Sequence, residues 1–166
     1  ELINKAELSR LEEITIGLRQ RLPEVWDMLS EDVMAHLIDA QLDINLRRGR
    51  DASLDYANAV ESFILELPLM PDGDGWWPRD FREWIRILRD LTNRSRREFW
   101  TKALIGRCDT QYARPLFDAL DLVRTRRVSR AHGDVRAPLP IKVQEAVLGG
   151  SKPSIFELIL RFSLRW

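Results

Sequence analysis

Between Asp121 and Asp134 an apolar helical stripe runs directly into a cluster of arginines and ends on Ala131-His132-Gly133. Leu116, Leu120 and Val123 form the stripe, and Arg127 falls four residues after Val123, in register with the face that enters the core. A guanidinium cannot shed its charge, so in that register it needs an anion, a hydrogen-bond network or a water-filled cleft. His132 is one of two histidines in the chain, and imidazole is the side chain best suited to moving protons near neutral pH. An arginine and a histidine at a helix end have the chemistry to hold a phosphate and move its protons. The competing reading is a solvated helix terminus, with the arginines answering the negative end of the helix dipole.

The run Arg127, Val128, Ser129, Arg130, Ala131, His132, Gly133 resembles the signature of the HEPN superfamily. These are all-helical domains of RNA-cleaving toxins, antiphage proteins and RNA-processing factors. Members carry an arginine, often an asparagine, a few residues, then a histidine. Val128 stands where the family usually has a polar residue that helps shape the site, and a second register uses Arg126 with one more intervening residue. The likeness is specific over about a dozen residues and architectural elsewhere. It implies an RNA-directed domain, in its active form a metal-independent endoribonuclease of a defence or toxin system. His132 would be the general base or acid and Arg127 the phosphate clamp, with Arg126 and Arg130 as further phosphate contacts and Ser129 as a hydrogen-bond donor. Metal-free cleavage needs a base for the 2′-hydroxyl, an acid for the leaving oxygen and a cation for the charged intermediate. One histidine does not readily serve both proton transfers, so the resemblance implies a homodimer that brings two copies together.

A second basic feature is the row Arg79, Arg82, Arg86 and Arg89, followed by Arg94, Arg96 and Arg97. The first four recur on one helical face, opposite Phe81, Ile85 and Leu88, and are expected to meet solvent together. Arg82, Arg86 and Arg89 are candidate RNA contacts, and Trp76 and Trp77 are a candidate stacking platform. The simpler assignment is an amphipathic surface helix with tryptophans clamping a loop. Asp32, His36, Asp39 and Asp43 also share one side of a helix, but carboxylates on a solvated helix are far commoner than metal faces, so no metal is expected. There is no Walker loop, dinucleotide glycine fingerprint, Gly-x-Ser-x-Gly elbow or Cys/His zinc spacing, and no cofactor is expected.

The elements that must position these residues read as helices throughout. Leu8, Leu11, Ile14 (or Thr15), Leu18 and Leu22 mark the first, with Pro23 ending it and opening the next. Trp26, Leu29, Val33, Leu37 and Ile44 mark the second, with Gly49 as its expected terminator. Asp51 or Ser53 is the expected cap of a third through Leu54, Ala57, Val60, Ile64 and Leu67. The loop PLMPDGDGWWP precedes a fourth, with Pro78 as its expected first residue and Phe81, Trp84 or Ile85, Leu88 and Leu91 inward. Ser95 with Glu98 has capping-box spacing for a short helix ending at Gly106. Another runs from about Thr110 to the arginine cluster, and Gly133 and Pro138 force a break after it. The last two are Pro140 to Leu148, closed by Gly149-Gly150, and a very apolar helix from Ser154 to Trp166, opened by Ser154 and Glu157 and expected to be central or to dock on a partner. The sum is an all-α bundle of six to eight helices around one core, with the Thr110–Arg127 helix central.

At 166 residues the chain fits one domain with a sizeable core. Its beginning without methionine and its end on Trp166 lead to the expectation of a fragment of a larger protein. Cys108 is the only cysteine, which excludes an intrachain disulfide and favours a reducing, cytoplasmic setting. No apolar run is long enough to span a bilayer, so no membrane partner is expected. The net charge of zero hides an uneven layout. Residues 1–78 carry 7 Lys+Arg against 16 Asp+Glu, whereas residues 79–136 carry 15 against 8. Such polarity steers a basic region toward a polyanion or lets copies pair head to tail. The alternative to an RNA-directed domain is a non-catalytic helical interaction module, docking on a partner protein through the apolar C-terminal helix.

Overall fold

The computed structural model describes residues 2–67, 78, 80–93, 96–97, 106–132 and 140–166, with the backbone but not the side chains of 2–3 and 125–132. The described residues form seven α-helices and no strand: α1 (Leu2–Arg21), α2 (Glu31–Asn45), α3 (Gly49–Glu66), α4 (Phe81–Thr92), α5 (Ala113–His132), α6 (Pro140–Leu148) and α7 (Ile155–Phe162). The all-α expectation holds. One hydrophobic cluster joins side chains from every helix. The helix expected to be central is so: α5 packs on α3, α4, α6 and α7, with Leu116, Leu120 and Val123 fully buried. It shares the centre with α3, which packs on α2, α5, α6 and α7.

Local chemistry places several boundaries differently from the sequence expectation. Trp26 and Leu29 are buried as expected but lie outside α2, in a 3-10 turn and the residue after it. Ser30 starts the helix instead: its Oγ accepts from the Val33 amide (3.3 Å) and donates to Glu66 at the far end of α3 (2.7 Å). Two acids in the first turn, Glu31 and Asp32, add a favourable dipole interaction, and together these outweigh the proline signal at Pro23. Gly49 does not terminate α2. The left-handed residue of that connection is Arg47 (φ 60°), and Gly49 opens α3 against Pro140, whose Cγ would lie 2.8 Å from an added Cβ. Asp51 in the first turn and Ser53 in the second fall inside α3 rather than capping it, and Ser53 Oγ donates to the Gly49 carbonyl (3.0 Å). Asp80, not Pro78, begins α4, its carboxylate accepting from the Glu83 amide (2.8 Å).

α6 follows its expected limits, whereas α7 starts as expected but ends at Phe162 rather than Trp166, where Ser163 caps it and Leu164 turns left-handed (φ 57°). Gly149 (φ 75°) closes α6, and a Cβ there would also meet Ser154 N at 2.8 Å, so conformation and space both require glycine. Ser154 Oγ accepts from the Glu157 amide (3.1 Å), completing the expected box. Ile155, Phe156, Leu158, Ile159, Leu160 and Phe162 are all buried in this chain's own core. Of the two expectations for this helix the central placement holds and docking through it does not, because its apolar side chains are not free to face a partner. The predicted Ser95–Glu98 box, Trp76, Trp77, Arg79 and Arg94 lie outside the described residues.

Candidate nucleic-acid interface

α4 owes its orientation to an anchored inner face. Phe81, Trp84, Ile85, Ile87, Leu88 and Leu91 are buried. Trp84 donates its indole N–H to the Pro78 carbonyl (2.8 Å) and packs edge-on to Phe162 with ring centroids 5.7 Å apart. A tryptophan held at both its polar and apolar ends fixes the rotation of the helix about its axis. The opposite face then follows from the spacing: Arg82, Arg86 and Arg89, four and three residues apart, are all exposed. None of the three takes part in an ion pair among the described residues. Beyond the helix, Arg96 reaches back to Asp90 (3.5 Å) and Arg97 is exposed. Arg82, Arg86 and Arg89 thus present guanidinium groups without ion-pair partners among the described residues on one helical face, the arrangement that contacts successive phosphates.

α5 packs directly on α4 and carries the arginine cluster. The helix does not stop where the cluster starts; it passes through Arg126, Arg127 and Arg130 to His132. The side chains of these four residues, and all of Gly133, lie outside the described residues. Positions five apart on an α-helix stand about 140° apart around its axis. Positions 127 and 132 therefore occupy different sides of one rod.

Two features carry no signal in the sequence pattern. Asp55 of α3, which belongs to no motif, meets the α2 row at Asp43. Burial, a side-chain hydrogen bond to Asp43 and the charges of Asp43, Asp39 and Asp51 push its carboxyl up to about 7. The α2 row thus faces another helix as well as solvent, with Asp32 and Asp39 exposed and His36 and Asp43 half-buried. Among the described residues no three His, Cys, Asp or Glu side chains are grouped to hold a metal ion. The second is a cleft of about 360 Å³ where the end of α1 meets the α6–α7 turn, lined by Arg21, Pro23, Gly149, Lys152 and Trp166 among others. Arg21 already donates to the Gly149 carbonyl (3.1 Å). Such contacts between distant segments have no periodic signature in the sequence.

Burial and the neighbouring Asp109 push the Cys108 thiol up, away from a reactive thiolate. No helix among the described residues is long and apolar enough to cross a membrane. The chain matches no protein-family model, no curated protein and no solved structure.

Proposed function

We propose that the chain is a HEPN-like, RNA-directed domain that binds the backbone of RNA through the outer face of α4. The observation that carries this reading is the exposure of Arg82, Arg86 and Arg89 on one face, without ion-pair partners among the described residues. The basic sequence of α5 is consistent with it, because the helix that packs on the inner side of α4 carries Arg126, Arg127 and Arg130. In the catalytic form of the proposal, one His132 takes the proton of a 2′-hydroxyl, whose oxygen attacks the adjacent phosphorus. Arg127 holds the non-bridging oxygens, the bond to the 5′-oxygen breaks, and that oxygen takes a proton from His132 of a second copy. This is the chemistry of a defence or toxin endoribonuclease.

The test is binding and cleavage of single-stranded RNA in chelator by the unmodified chain, the triple variant Arg82→Ala/Arg86→Ala/Arg89→Ala, and the single variants Arg127→Ala and His132→Ala. The triple variant should bind RNA at least tenfold more weakly at low salt. Each single variant should lose cleavage by about a hundredfold or more while still binding. Unchanged RNA binding in the triple variant overturns the interface, and the absence of any RNA binding favours the non-catalytic interaction module instead. Cleavage that is absent throughout, or equal in all variants, removes the catalytic form.

A further inference from the structure

The amino-terminal half of α1 stands away from the core. Every side chain from Asn4 to Glu13 is exposed, and the buried contacts of the helix begin at Ile14 and continue through Leu18 to Leu22 just beyond its end. Ten residues of α-helix span about 15 Å. A projection of that length without a buried side chain among the described residues is marginal in water, because short helices derive most of their stability from packing an apolar face. That face is present. Leu8 (59 % exposed) and Leu11 (37 % exposed) continue the same stripe that Ile14, Leu18 and Leu22 bury against the core.

We propose that this exposed stripe is the seat of a second copy of the chain, its α1 lying antiparallel to the first. The charges beside the stripe select both the partner and the direction. Read as a two-helix seam, Leu8 and Leu11 occupy the central positions, with Asn4 and Thr15 one layer out. Lys5 and Glu12 flank one side of the seam and Glu7 the other. A parallel pair in register sets Glu7 of one copy against Glu12 of the other, a like-charge contact made twice. An antiparallel pair stacks each Leu8 on the other copy's Leu11 and each Asn4 on the other copy's Thr15. It sets Lys5 against Glu12, an opposite-charge contact also made twice. Because the core holds the carboxy-terminal half of α1, the antiparallel arrangement also keeps the two bodies at opposite ends of the seam. The apolar contact is small, below the roughly 1,200 Å² of a standard stable interface, so the dimer is weak and concentration-dependent. The surface is separate from the α4 face, and its test involves no RNA.

Sedimentation equilibrium of the chain at low salt, up to millimolar concentration, measures the association directly. The unmodified chain should pass from monomer to dimer, and Leu8→Glu/Leu11→Glu should weaken this by at least tenfold with an unchanged helical spectrum. Lys5→Glu and Glu12→Lys should each weaken association about threefold to tenfold, and the double charge swap should restore it. All four positions are exposed, so core packing is not at stake. A chain that stays monomeric at every concentration overturns the proposal, as does a dimer indifferent to Leu8 and Leu11. Loss with the leucine variant but no rescue by the charge swap overturns the antiparallel arrangement.

Discussion

At the scale of single residues, Asp55 is where the chain responds to pH. Its carboxyl is raised to about 7 first by burial, then by the hydrogen bond and charge of Asp43, with Asp39 and Asp51 adding to the same sign. The folded chain therefore keeps a proton that the unfolded chain releases near pH 4. Stability falls as pH rises through the window from about 4 to about 7, and the deficit is complete above it. Asp55→Asn keeps a donor toward Asp43 without the charge. Its advantage in denaturant midpoint over the unmodified chain should be smallest near pH 4, grow through the window and be largest near pH 8.5; an equal difference at both ends would refute the assignment. Tyr56 offers a second test. Its ring is fully buried, its hydroxyl has no hydrogen-bond partner of good geometry among the described residues, and burial, only partly opposed by nearby Gln144 and Arg21, pushes its pKa up to about 12. The neighbouring Gln144 already donates to Gln41 (3.3 Å). Removing an unpaired buried hydroxyl removes its desolvation cost, so Tyr56→Phe should be neutral or stabilising by up to about 1 kcal/mol in chemical denaturation. A loss larger than that would mean the hydroxyl has a partner.

At the scale of elements, caps decide more than propensities. Ser154 satisfies the first turn of α7, so Ser154→Ala should cost about 1 kcal/mol, read as a lower denaturant midpoint. Gly17 sits inside α1 with ordinary helical backbone and open space where a Cβ would go. Gly17→Ala should stabilise by about 0.5–1 kcal/mol, and a destabilised variant would show that the site is tighter than its surroundings indicate. The same logic explains which boundaries are legible in the sequence. Ser154 and Glu157 announce α7 because cap and partner lie three residues apart. The start of α2 is hidden because Ser30 draws on Glu66, thirty-six residues away. The role of Gly49 is hidden as well, because what demands a glycine there is Pro140 and not the local turn. The exposed face of α4 is readable from its period alone, whereas the meeting of Asp55 with Asp43 depends on how α2 and α3 pack.

At the scale of the whole molecule, the two halves of the charge distribution make the location of binding testable apart from net charge. Residues 1–78 hold 16 Asp+Glu against 7 Lys+Arg, and residues 79–136 hold 15 Lys+Arg against 8 Asp+Glu. If RNA responded only to net charge, any three arginines would serve equally. If it sits on the α4 face, neutralising Arg82, Arg86 and Arg89 removes three phosphate contacts and the counterions each one releases. For single strands each contact contributes about 0.7 to the slope of log affinity against log salt, so the triple variant should lose about 2 from that slope. Arg19, Arg48 and Arg50 are also exposed but lie in the acidic half, on α1 and at the start of α3. Their triple replacement by alanine changes net charge by the same amount. It should alter affinity only modestly at low salt and leave the slope nearly unchanged, because groups that touch no phosphate release no counterions and act only through screened long-range charge. Titration of a labelled single-stranded RNA against each chain at several salt concentrations gives both slopes. Equal losses in the two triple variants would assign binding to net charge and sink the α4 interface, whereas a loss confined to the α4 variant would localise the RNA on that helix.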